Sequence, residues 1–138
     1  MIRNVLLSLI LLFASQLTYS SSPTYSEIPT RFFELLKQGQ TIEAFAFMNS
    51  QSNRTKEVPN SLIQTLVEGN GGYRFHELLK QVDYGSNYIT QAYIVGMQSR
   101  PSLFTVKLYY NGEKWGVKEF NFTSDLDEIQ MQKIEARL

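Results

Sequence analysis

Leu103-Phe104-Thr105-Val106-Lys107-Leu108-Tyr109-Tyr110-Asn111-Gly112-Glu113-Lys114-Trp115-Gly116-Val117-Lys118-Glu119-Phe120-Asn121-Phe122 is the stretch on which the fold turns. Its first part alternates: Phe104, Val106, Leu108 and Tyr110 face one way, with Thr105 and Lys107 between them. That is the period-two mark of a half-buried strand. Asn111-Gly112 then reads as a type I′ hairpin turn, a turn that needs positive φ at both central residues. Trp115 to Phe122 returns antiparallel, but its parity changes midway. Trp115 and Val117 share one face, Phe120 and Phe122 the other. A bulge near Lys118-Glu119 would bring all four to the core.

Upstream, Arg100-Pro101-Ser102 turns the chain out of another strand, Tyr88 to Met97, with Ile89, Tyr93, Val95 and Met97 on one parity. Further back the pattern is helical. Ile28, Phe32, Phe33, Leu35 and Leu36 form one broad face, and Gly39 supplies the left-handed stop. A second helix from Thr41 to about Asn49 turns Ile42, Phe45, Ala46 and Met48 inward. A third opens at Pro59-Asn60-Ser61, with Ser61 and Gln64 as a capping box and Leu62, Ile63, Leu66 and Val67 as its apolar stripe. Gly69-Asn70-Gly71-Gly72 ends it, because three glycines in four residues favour a turn over a helix.

The first residues carry an address. Arg3 precedes an unbroken apolar run, Val5 to Ala14, and small polar residues follow from Ser15 to Ser22. This is the layout of a secretory signal peptide. A bilayer span needs about 20 apolar residues, so the run predicts export without a stable membrane anchor. With Thr18 and Ser20 as the small residues before the cut, residues 1–20 are removed, although cleavage after Ser22 fits nearly as well. The expected destination is the periplasm or the extracellular space. The chain has no cysteine, which excludes disulfides, thiolate catalysis and lipid attachment through cysteine. An exported domain of this size must then hold together by hydrophobic packing alone, which favours a bacterial product. The 13 basic and 13 acidic side chains cancel, so nothing steers the protein toward nucleic acid or anionic membrane.

Helices followed by a curved antiparallel sheet with an aromatic last strand resemble the nuclear transport factor 2-like group of α+β cone folds, of cystatin-like topology. The likeness rests on Phe32-Phe33-Glu34-Leu35-Leu36, on Ile42-Glu43-Ala44-Phe45, and on the run from Leu108 to Val117 closed by Phe120-Asn121-Phe122. It covers roughly residues 25 to 123 and looks like small exported bacterial members of unassigned activity. The stretch from Arg74 to Asp83 is ambiguous by spacing, since Phe75, Leu78, Leu79 and Val82 also fit a helix. The resemblance implies that it is the first long strand. The expected organisation is a signal peptide over 1–20, one α+β cone domain over 24–123, and a helical tail over 124–138. In that tail Ser124 and Asp127 form an N-terminal box, and Leu126, Ile129 and Ile134 an apolar stripe.

Such a cone offers a pocket. Tyr93, Met97, Phe104, Tyr109, Tyr110 and Trp115 are the large side chains that could line it, as aromatics with polar tips line small-molecule sites. The same residues could instead fill the cone as packed core. Enzymes of the resembled group use Asp with Tyr, His with Asp, or Asp with Arg inside the cone. His76 is the only histidine. On a regular strand His76 and Asp83 point to opposite faces, more than about 20 Å apart at roughly 3.3 Å per residue, and need a bulge to share one. Glu77 and Asp83 share a parity but are also distant. One histidine and no close carboxylate cluster give no ligand set for zinc or iron, and no glycine-rich loop opens a helix as a phosphate cradle. No catalytic residue, metal or cofactor is expected. The sequence therefore predicts a non-enzymatic binding or interaction protein that holds an apolar small molecule in the cone or a protein partner, or forms a homodimer through the sheet. The alternative is an isomerase, dehydratase or hydrolase using Tyr93 or Tyr109 with a carboxylate such as Asp83.

Overall fold

Two helices, α1 (Glu27–Lys37) and α2 (Thr41–Ser50), precede four strands, β1 (Tyr73–Asp83), β2 (Tyr88–Met97), β3 (Pro101–Tyr110) and β4 (Trp115–Thr123). The computed structural model describes residues 24–52, Ser61, Ile63, Leu66 and 69–124. The strands form one curved, unclosed antiparallel sheet in the order β1-β2-β3-β4, with the helices packed on one face. This is an α+β architecture. The expected signal peptide, most of the third helix and the tail from residue 125 lie outside the described residues. Of the residues expected there, Leu66 is buried in the core and Ile63 packs against it.

Helix α1 presents the face that its spacing predicts: Ile28, Phe32, Phe33, Leu35 and Leu36 are all buried. It ends at Gly39, whose φ of 75° lets the Gln40 N–H reach back to the Leu35 carbonyl at 2.9 Å. Helix α2 sits rotated from its expected setting. Ala44, Phe45 and Met48 are buried, whereas Ala46 is exposed and Ile42 is 65% exposed. The spacing Ala44, Phe45, Met48 keeps a narrow stripe against α1 and the sheet, and Ile42 falls outside it.

The β3–β4 pairing contains the expected bulge. Lys107 opposes Glu119, and Leu108 opposes Val117, so Lys118 is the extra residue. Its insertion sets Trp115, Val117, Phe120 and Phe122 opposite Tyr110, Leu108, Val106 and Phe104, on one face. The turn between these strands differs from the expectation. Asn111 does not have positive φ, and Gly112 does, at 98°. The Asn111 N–H bonds to the Lys114 carbonyl at 3.2 Å, so Gly112 and Glu113 are the central pair. Positive φ at the first of them alone is the sign pattern of a II′ turn. The Asn111 side chain explains the shift: its Oδ1 accepts the N–H groups of Glu113 and Lys114 at 2.9 and 3.0 Å.

The stretch from Arg74 to Asp83 is strand, as the resemblance implies, and it carries two irregularities, at Arg74 and Leu79. The second changes the facing of the residues beyond it. His76 opposes Val95 and Asp83 opposes Ile89, so both look toward the helices, where an unbroken strand would separate them. Glu77, opposite Ile94, looks the other way from Asp83, reversing the expectation for that pair.

Candidate functional site

The six pocket candidates do not converge. Phe104 is fully buried and stacks on Phe32, ring centroids 4.7 Å apart. Tyr93 and Met97 are buried in the same cluster, and the Phe33 ring meets both Tyr93 and Phe104 edge-on. Here side chains from α1 fill the concave face. Tyr110 and Trp115 oppose each other at the far end of the β3–β4 hairpin, 5.7 Å apart, with Tyr25 against the indole at 5.4 Å. Trp115 is only partly buried. Tyr109 lies on the opposite face of the sheet and is 48% exposed.

From Tyr93 a polar chain crosses the concave face. The Tyr93 hydroxyl donates to Gln91 Oε1 at 2.9 Å, Gln91 Nε2 donates to Gln81 Oε1 at 2.8 Å, and Gln81 Nε2 donates to Asp83 Oδ1 at 2.9 Å. Every donor in the relay points toward the Asp83 carboxylate. The arrangement satisfies Gln91, which is otherwise buried among apolar side chains. Burial, with a smaller contribution from Tyr25, pushes the Tyr93 hydroxyl up to about 12. Tyr93 thus keeps its proton at neutral pH and already donates it to an amide. Two carboxamides stand between it and Asp83, and neither is a proton acceptor of useful strength. The network ties the buried Tyr93 and Gln91 to Gln81 and Asp83 on the edge strand.

His76 is occupied differently. Its ring lies against Phe33, centroids 3.8 Å apart and 6° from parallel, and its Nδ1 is 2.7 Å from the Tyr73 hydroxyl. Burial lowers its pKa below the ordinary 6.5. No carboxylate bonds to the ring among the described residues, which also hold no group of three or more potential metal ligands.

A cleft of about 400 Å³ opens beside β4, lined by Ser50 and Gln51 at the end of α2 and by Tyr109, Asn111, Lys114 and Trp115 from the hairpin. The chain leaving α2 builds one wall. The Val117 N–H donates to the Gln51 carbonyl at 2.8 Å, and Ser52 bridges to Val117 in parallel. Trp115 and Tyr109 are the two sequence-predicted residues that meet there.

The other edge of the sheet is unlike this one. Among the described residues no strand pairs with the outer side of β1, which runs for 11 residues. Phe75 is 56% exposed, Leu78 45% and Leu79 44%, and Tyr84 just beyond the strand is 52% exposed. Phe75 rests on Gly96 of β2, where a Cβ would come within 2.1 Å of its ring. Sequence reasoning did not single out this edge. The one signal in the sequence was the ambiguity of this stretch, since Phe75, Leu78, Leu79 and Val82 also fit the spacing of a helix.

No protein-family model matches the chain, and no characterised protein matches it.

Proposed function

We propose that this is an exported, non-enzymatic interaction protein of the nuclear transport factor 2-like cone group, and that strand β1 is its contact element. The observation that carries the reading is a long sheet edge of 11 residues on which Phe75, Leu78 and Leu79 are about half exposed, with Glu77 and Lys80 set among them. An edge strand presents N–H and C=O groups that can recruit another strand, and β1 is neither short nor paired on its outer side among the described residues. Strand addition uses those groups for affinity and the flanking side chains for specificity. The protonated, amide-bound Tyr93 and the scattered carboxylates favour this over an isomerase, dehydratase or hydrolase. The aromatic packing of Phe32, Phe33 and Phe104 likewise leaves the concave face with little room for an apolar ligand. Export follows from Arg3 and the Val5–Ala14 run, and no helix among the described residues is long and apolar enough to cross a membrane.

The test is titration of the isotopically labelled protein with an uncharged strand-length peptide of alternating Thr and Val. Amide shifts and slowed hydrogen exchange should concentrate on Tyr73 to Asp83. Perturbation centred elsewhere, or none up to saturation, would remove β1 as the contact element.

A further inference from the structure

We infer that the occupant of the β1 edge is β1 of a second copy of this chain, paired antiparallel about a two-fold axis between Leu78 and Leu79. In this arrangement Glu77 of each copy faces Lys80 of the other. The inference rests on the reading of β1 as the contact element and adds the identity and register of what docks there.

Facing comes first. In a sheet continued across such an axis, paired residues must lie on the same face. The pairing with β2 places Phe75, Glu77, Lys80 and Val82 on the face away from the helices, opposite Gly96, Ile94, Ala92 and Thr90. It places His76, Leu78, Gln81 and Asp83 on the helix side, opposite Val95, Tyr93, Gln91 and Ile89. The extra residue at Leu79 reverses the alternation between the two halves of the strand. An axis through a single residue therefore sets unlike faces against each other. An axis between Leu78 and Leu79 matches them: Phe75 with Val82, Glu77 with Lys80, His76 with Gln81.

Chemistry then selects among neighbouring registers. With this axis, apolar Phe75 meets apolar Val82, and acidic Glu77 meets basic Lys80, each pair occurring twice by symmetry. Leu78 and Leu79 of both copies gather at the axis, and at the ends Arg74 of one copy approaches Asp83 of the other. Moving the axis one residue on sets Glu77 against Val82 and Leu78 against Gln81. Moving it one residue back sets Phe75 against Lys80. The register one residue on gains His76 against Asp83 but loses both the Phe75–Val82 and the Glu77–Lys80 pairs, so the central register alone keeps the apolar pair and the charge pair together. The product is an eight-stranded antiparallel sheet with the helices of both copies on the same side.

The register makes a specific experiment possible. Sedimentation of the full chain, as processed by an exporting host, should show a reversible dimer. E77K sets Lys against Lys80 twice, and K80E sets Glu against Glu77 twice. Each should weaken the dimer by about tenfold or more, with the circular dichroism of the folded monomer retained. An equimolar mixture of E77K and K80E should recover dimerisation, because both cross-strand pairs are then opposite in charge, and the double variant E77K/K80E should recover it alone. A wild-type chain that stays monomeric to its solubility limit overturns the inference. So does a dimer indifferent to both single variants, or one that the mixture fails to restore. A monomer whose β1 still takes the Thr/Val peptide would leave the contact element standing and remove only the second copy.

Discussion

Phe33 of α1 and His76 of β1 lie face to face, centroids 3.8 Å apart and planes 6° from parallel, making the one aromatic stack between α1 and the edge strand among the described residues. The contact makes part of the stability depend on pH. Burial holds the His76 pKa below 6.5, so the unfolded chain takes up the proton before the folded one does. The contribution is therefore complete above 6.5 and is lost as the pH falls through the lowered value. Urea midpoints should drop across that interval, and His76→Phe, which keeps the stack and removes the proton site, should flatten the drop. An unchanged slope in His76→Phe would assign the titration to other groups.

Lys118 matters for its presence and hardly for its side chain. It is exposed, and its backbone is the extra residue that restores Trp115 and Val117 to the face of Phe120 and Phe122. Lys118→Ala should stay within about 0.5 kcal/mol of the parent, as surface substitutions do. Deleting Lys118 should cost more than about 3 kcal/mol, because one half of β4 must then turn its large apolar side chains to water. Chemical denaturation of both variants decides the matter, and a deletion that melts like the parent would show that the bulge does not set the facing.

Gly96 and Phe75 should behave as a coupled pair. A Cβ at position 96 would meet the Phe75 ring at 2.1 Å, so Gly96→Ala must push the ring off the sheet. The expected loss is about 1–3 kcal/mol, the usual range for overpacking. Phe75→Ala in the same chain should recover most of it, giving clear non-additivity in a double-mutant cycle. Simple additivity would mean that the ring does not rest on Gly96.

Much of the fold is written locally. The alternation of Phe104, Val106, Leu108 and Tyr110, the helical face of Ile28, Phe32, Phe33, Leu35 and Leu36, and the parity break around Lys118 depend on neighbours within one element. A sequence displays them directly. Other features escape local reading because they are settled by competition. Ile42 is as apolar as Met48, but only one of them lies on the side of α2 that the sheet and α1 cover. Asn111-Gly112 suits a I′ turn, yet the Asn111 carboxamide takes two backbone N–H groups and moves the turn one residue along.

The candidate site depends on the same distinction. The period of each element and the side chains ready for burial can be read along the chain, because those are properties of spacing and composition. Tertiary structure alone decided that Phe32 and Phe33 fill the face where Tyr93 and Phe104 were candidates for a pocket. It also decided that β1 is an edge, and that an extra residue at Leu79 puts His76 and Asp83 on one side and Phe75, Glu77, Lys80 and Val82 on the other. Which strand ends a sheet, and where a strand gains a residue over its neighbour, are relations between distant segments, and no window along a single strand contains them.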